Sequence, residues 1–121
     1  MIKRVKVVGV NVGDQQRARD FFVQTLGFRV VVDEPMGPGA RWLEVAPPEG
    51  GTRLALWTPP GLEDRVGTFT HIVFLSDDVE ATARELKSRG VVFQQEPKEQ
   101  PGGVMAVFQD PDGNSYVLAG E

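Results

Sequence analysis

Hydrophobic spacing along the chain switches repeatedly between the period of a strand and that of a helix. Residues 5–12 are rich in valine and predict a strand. Gly13-Asp14 breaks it, and Asp14 is a natural helix cap. Ala18, Phe21, Phe22, Thr25 and Leu26 then recur at helical spacing, and Gly27 ends the run as a residue just past a helix does. Residues 28–32 predict a second strand and 33–39 a loop with two prolines and two glycines. Residues 41–46 and 53–57 predict two further strands, joined by the turn Pro47-Pro48-Glu49-Gly50-Gly51. Residues 58–67, with Pro59, Pro60 and Gly61, have the composition of a linker.

The same order then starts again. Residues 68–75 predict a strand. Asp77 and Asp78 are both placed to cap a helix, and Asp77 with Glu80 fits a capping box. Ala83, Leu86 and Lys87 continue that helix and Gly90 closes it. Strands follow at 91–94, 104–109 and 115–119, separated by a loop at 97–102 and by the dense turn Asp110-Pro111-Asp112-Gly113-Asn114. The order is βαβββ, linker, βαβββ. The repeat offset is 64 at the caps (78 − 14) and 63 at the closing glycines (90 − 27). An offset this constant predicts two copies of one module within an α+β chain. We expect a single domain built of module 1 at about 1–58, a linker at 59–67 and module 2 at about 68–121.

Composition narrows the chemistry. The 121 residues include no cysteine and a single histidine, His71. Disulfides, thiolate nucleophiles and thiolate zinc sites are thereby excluded. A formal net charge of −4 disfavours general attraction to nucleic acid. No segment approaches the ~18 apolar residues of a membrane span, and the basic start lacks the long apolar run of a secretion signal. The expectation is a cytoplasmic protein with neither nucleic-acid nor membrane partners. Asp14, Asp77 and Asp78 are explained as caps, and Asp110 and Asp112 as turn formers. No phosphate-loop, dinucleotide or serine-hydrolase motif is present. Tyr116 alternates away from Val117 and is expected in the core.

Several segments together resemble the vicinal oxygen chelate superfamily of glyoxalases, bleomycin-resistance proteins and extradiol dioxygenases. They are Val10-Asn11-Val12-Gly13-Asp14 with Ala18, Phe21-Phe22 and Leu26-Gly27-Phe28; Thr70-His71-Ile72; Glu85-Leu86-Lys87 with Arg89-Gly90-Val91; and Phe108-Gln109-Asp110-Pro111-Asp112-Gly113-Asn114. The resemblance covers nearly the whole chain. It implies two tandem βαβββ modules whose sheets form an open barrel-like cleft, and a homodimer. It also implies metal ligands, His or Glu, on the first and last strand of each module. Carried across, those positions are Val7, Leu56, His71 and Val117, so one of the four keeps a donor. The expectation is therefore no metal and no cofactor, with a carboxylate such as Glu44 needed to complete any exception.

On this reading the cleft is lined by Val7, Leu56, His71 and Val117, with Trp42 and Met105 as further walls. Trp42 and Trp57 offer flat surfaces for a ring, and Arg41 and Arg53 offer cations for an anionic ligand. The favoured function is metal-free binding of a small planar or aromatic molecule, without catalysis. One alternative is a metal-dependent lyase, isomerase or dioxygenase using His71 and carboxylates. The other is a ligand-free structural or partner-binding dimer module.

Overall fold

The computed structural model describes residues 1–121 and divides into two compact units, Met1–Val66 and Gly67–Glu121. In the first unit, β1 (Val7–Val10) leads to α1 (Gln15–Asp20), a π-helical turn over Phe21–Thr25, and then β2 (Arg29–Pro35), β3 (Arg41–Ala46) and β4 (Arg53–Leu56). The second unit repeats the plan. It contains β5 (Phe69–Leu75), α2 (Val79–Ser88), β6 (Val92–Gln100), β7 (Gly103–Gln109) and β8 (Ser115–Ala119), and a short 3₁₀ turn over Glu63–Arg65 precedes it. Each unit is a four-stranded mixed sheet, ordered β1-β4-β3-β2 and β5-β8-β7-β6. In both, the first strand runs parallel to the last, with antiparallel pairs elsewhere. Neither sheet closes into a barrel.

Local chemistry sets the helix ends. The side chain of Asp14 accepts the backbone N–H of Arg17 at 3.0 Å, and that of Asp78 accepts Ala81 at 3.0 Å. Asp78, not Asp77, is thus the cap of α2: its backbone is extended (φ −148°, ψ 96°) and its carboxylate reaches the first turn. Gly27 (φ 79°) and Gly90 (φ 88°) both turn the chain out of helix in the left-handed region that glycine enters freely. The first helix does not stay α-helical. At Phe21 it widens, and Leu26 N–H bonds to the Phe21 carbonyl at 3.1 Å.

Strand alternation divides each sheet into two faces. One face of the first sheet packs under its helix. Val10, Leu43, Val45, Leu54 and Leu56 meet Ala18 and Phe22 there, all nearly inaccessible to water. Each large aliphatic or aromatic side chain so buried contributes roughly 1.5–3 kcal/mol. In the second sheet Ala106, Phe108, Tyr116 and Leu118 pack under Ala83 and Leu86 of α2. The rings of Phe74, Phe108 and Tyr116 stack mutually, with centroids 5.4–6.2 Å apart.

Several expected elements differ from the structure. β1 covers only Val7–Val10 of the expected 5–12, and β2 runs on to Pro35, into the segment expected as a loop. The strand expected at 91–94 runs on to Gln100, through a segment expected to be a loop. Pro97, which lacks an N–H, falls where the β6–β7 register skips between Gln95 and Lys98, so it costs the ladder nothing. Leu56, expected on the open side, lies on the buried face of the first sheet. No helix is long and apolar enough to cross a membrane.

Candidate functional site

Each sheet presents its other face away from its helix, and the strand registers place the side chains on it row by row. On the first sheet, one row is Gly9, Ala55, Glu44 and Val32, taken across β1, β4, β3 and β2. The next row holds Val7 beside Arg53. On the other side Trp42 neighbours Glu34, and Trp42 packs on Trp57 with centroids 5.6 Å apart and the rings inclined at 59°. Within this face Trp42 Nε1 donates to Glu44 Oε2 at 2.6 Å, and Arg53 Nη1 donates to Glu44 Oε1 at 3.3 Å. Glu44 is only 6% exposed. A carboxylate so enclosed requires partners, and an indole N–H and a guanidinium supply them.

On the second sheet the corresponding rows are Phe69, Ser115, Gln109 and Val92; then Val73, Val117, Val107 and Gln95; then Leu75, Ala119, Met105 and Lys98. His71 lies between the first two rows, where the β5–β8 register skips. It is exposed, and its ring meets the edge of Phe69 with centroids 4.7 Å apart. His71 is also the one non-glycine residue with positive φ, at 65°. The bulge is held by Thr70, whose hydroxyl donates to the Ser115 carbonyl at 2.8 Å and accepts Ile72 N–H at 3.1 Å. A left-handed backbone at a histidine costs about 1–2 kcal/mol. The bulge turns His71 onto the same open side as its neighbours.

Of the residues expected to line a pocket, Val7 and Trp42 therefore share one open face, and His71, Met105 and Val117 share the other. Leu56 does not belong with them. It is fully buried under the first helix, on the opposite face from Val7, and cannot line an open site. The open-face positions of β4 are Arg53 and Ala55. The cue was in the sequence: in Arg53-Leu54-Ala55-Leu56 the two leucines share one face, and leucines on alternate positions mark the core. Gly9, Arg53 and Glu44 acquire a joint role only through the register, because the three strands that carry them are brought together by the fold.

The metal implied by the resemblance does not fit these residues. Val7, Ala55 and Val117 have no electron pair to offer, and no three His, Cys, Asp or Glu side chains converge anywhere in the chain. Glu44 is already engaged by Trp42 and Arg53.

Elsewhere in the first unit, a shallow groove of about 790 Å³ lies between the start of α1 and the β2–β3 connection. Most of its polar groups are committed to each other, although Arg41 Nε, close to Asp33 in charge contact, is buried without a hydrogen bond. Gln15 Nε2 donates to the carbonyls of Arg41 (2.7 Å) and Leu56 (2.8 Å), Arg41 Nη2 donates to Gln16 Oε1 (2.9 Å), and Arg41 Nε lies 3.1 Å from Asp33 Oδ1. Arg41 is therefore a brace of this region and not a free cation for a ligand.

The turn between β7 and β8 is a buried polar network. Asp110 accepts from the Tyr116 hydroxyl (2.6 Å), Asn114 Nδ2 (3.0 Å) and the backbone N–H of Asp112 (2.9 Å) and Asn114 (3.0 Å). Burial nevertheless raises the Asp110 carboxyl above its ordinary value of 3.8, and hydrogen bonding only partly offsets it. Tyr116 is pushed far up by burial first and by the Asp110 charge second. Neither group faces an opening, so the network is architectural.

Comparison with known proteins agrees with this architecture. The family described as Glyoxalase/Bleomycin resistance protein/Dioxygenase superfamily matches residues 4–118. The chain is 39% identical over 118 residues to the protein YetH of Bacillus subtilis (strain 168), covering 98% of each. Among solved structures it resembles a member of the same superfamily from Sphaerobacter thermophilus DSM 20745 (TM-score 0.90, 37% identity, 99% of this chain and 98% of that one). It also resembles TnmS3, an antibiotic binding protein from Streptomyces sp. CB03234 (TM-score 0.82, 39% identity, 98% and 96%).

Proposed function

The chain belongs to the glyoxalase/bleomycin resistance protein/dioxygenase superfamily, and from that premise we propose that it binds a small planar or aromatic molecule on its open sheet faces without a metal. The observation that carries this reading is the character of those faces. Where a metal would need donors they hold Val7 and Ala55 on the first sheet and Val117 on the second, and the first sheet also carries the paired indoles of Trp42 and Trp57. Aliphatic walls and indole faces attract an apolar ring by removing its surface from water and by stacking. A few polar groups, Arg53 on the face of the first sheet and His71 on that of the second, are available to fix orientation on the face each belongs to. Binding of this kind withdraws a molecule from solution with no bond made or broken. TnmS3, described as an antibiotic binding protein, supports small-molecule binding.

A homodimer is part of the same proposal. Phe69, Val73 and Leu75 of β5 are 47, 59 and 64% exposed, and covering such a strip with a second copy removes apolar surface from water. Sedimentation velocity across a concentration series reads this directly.

The ligand claim is tested by thermal shift against two panels, one of divalent metals and one of planar aromatics, with chelator present in the second. A ligand that binds only the folded chain must raise its melting temperature. Stabilisation by aromatics in chelator is the expected result. Stabilisation by a metal that His71→Ala abolishes would replace this reading with a metal-dependent one.

A further inference from the structure

The two indoles of the first sheet stand beyond the end of the ladder that would hold them together. Cross-strand pairing of β3 with β4 covers Glu44–Ala55 and Val45–Leu54 and goes no further toward the tryptophans. Continued by two residues, that register sets Trp42 (44 − 2) opposite Trp57 (55 + 2), and their ring centroids lie 5.6 Å apart. Trp57 is already past the last residue of β4. Its segment is tied to β1 and the residues that follow it. Trp57 N–H donates to the Val10 carbonyl at 3.2 Å, and the Thr58 hydroxyl donates to the Val12 carbonyl and accepts the Val12 N–H, each at 2.8 Å. Trp42, in contrast, is held within β3 by Glu44. The two indoles therefore hang on different strands, and their spacing needs a tie between those strands.

Gln15 supplies it. Gln15 is the first residue of α1, and the Asp14 cap fixes where that helix begins. Its carboxamide closes on Arg41, the residue before Trp42. Nε2 donates to the Arg41 carbonyl at 2.7 Å, and Oε1 accepts the Arg41 N–H at 3.3 Å. A residue on a neighbouring antiparallel strand would exchange the same pair of bonds. Nε2 also donates to the carbonyl of Leu56, the residue before Trp57, at 2.8 Å. One side chain thus grips the backbone next to each tryptophan and joins β3 to β4 where their own pairing has ended. Only an amide carries two donors and an acceptor on one planar group of this size. Helix formation asks nothing of this side chain, because Asp14 already provides the cap.

We propose that Gln15 is the positioning residue of the indole pair. It sets the separation and inclination of Trp42 and Trp57 from the helix side of the sheet. Through them it sets the affinity for a planar aromatic, a consequence that rests on the ligand-binding reading above.

The test uses the full chain and two readouts. The first is the exciton couplet of the two indoles in circular dichroism, assigned by its absence in Trp57→Phe. The second is calorimetric binding of 1-acetonaphthone, a neutral planar aromatic. Gln15→Met keeps the length of the side chain and removes every hydrogen bond. It is expected to lose most of the couplet and to bind the probe roughly two- to tenfold more weakly, equivalent to one aromatic contact. Asn114→Ala loosens the second unit, where Asn114 bonds Gly67, Thr68 and Asp110, and is expected to change neither readout. In wild type the Arg41 amide is expected to exchange slowly with solvent, as a ladder amide does; free exchange overturns the clamp even if Gln15→Met does not fold. An undiminished couplet in folded Gln15→Met overturns the positioning role, and so does an equal loss in Asn114→Ala. A lost couplet with unchanged probe affinity overturns the link to binding alone. If no planar aromatic binds wild type, the ligand reading fails separately, and the couplet still decides whether Gln15 holds the indoles.

Discussion

Asn114→Ala should be among the most damaging single substitutions outside the apolar core. Asn114 is 1% exposed. Its Oδ1 accepts the backbone N–H of Gly67 at 2.7 Å and of Thr68 at 3.2 Å, and its Nδ2 donates to Asp110 Oδ2 at 3.0 Å. The side chain thereby ties the start of the second unit to the β7–β8 turn. Alanine removes all three bonds. Gly67 and Thr68 are exposed and recover water in part, so each orphaned N–H costs the low end of the usual range, about 1 kcal/mol. Asp110 is buried and recovers nothing, so its lost donor costs about 1–1.5 kcal/mol. The sum is about 3 kcal/mol, against a total stability of roughly 5–15 kcal/mol for a domain of this kind. The assay is equilibrium urea unfolding followed by far-ultraviolet circular dichroism, with the slope checked for constancy. A loss below about 1 kcal/mol would refute the reasoning that the network is closed and dry. Asn114→Asp separates the two halves of the argument. It keeps the acceptor for both N–H groups but sets a second carboxylate against Asp110, so its defect should shrink on acidification.

Three further outcomes follow from single observations. His71→Gly should stabilise the chain by about 1 kcal/mol in urea unfolding, because glycine takes the φ of 65° without strain; no gain would mean the bulge is not strained. Asp110 has a folded pKa raised above its unfolded value of 3.8, so the stability it contributes is fully present below that value and lost as pH rises through the folded value. The stability of wild type relative to Asp110→Asn should therefore shift in favour of wild type as pH is lowered toward 3.8, and a shift the other way would contradict the burial argument. Leu56→Ala should cost about 2–5 kcal/mol by calorimetric melting, as for a core leucine, and a cost under about 1 kcal/mol would contradict its place beneath the first helix.

How far the fold could be read from the chain depended on whether local chemistry or long-range pairing decided each element. Arg41–Ala46 and Ser115–Ala119 match expectation end to end, since turn residues bound both. The caps at Asp14 and Asp78 were legible because a cap is a contact across three residues. The π-helical turn at Phe21–Thr25 was not, because apolar periodicity cannot distinguish a widened turn from a regular one. Nor was the continuation of β6 past Pro97, which rests on a register skip in the partner strand. In the candidate site, the sequence named Val7 and Trp42, which share one face, but carrying the last-strand position across to the first module placed it at Leu56, one residue from Ala55, and one residue reverses a strand's faces. The enclosure of Glu44 between Trp42 and Arg53 joins positions 42, 44 and 53 across two strands, and no local pattern announces it.

The measurement that bears most directly on the central claim is a titration of chelator-treated, metal-free protein with a planar aromatic such as 1-acetonaphthone, followed by fluorescence of Trp42 and Trp57. Saturable quenching is expected, with a midpoint that does not change when divalent metal is restored. Binding that appears only after a metal is added, and that disappears in His71→Ala, would contradict it.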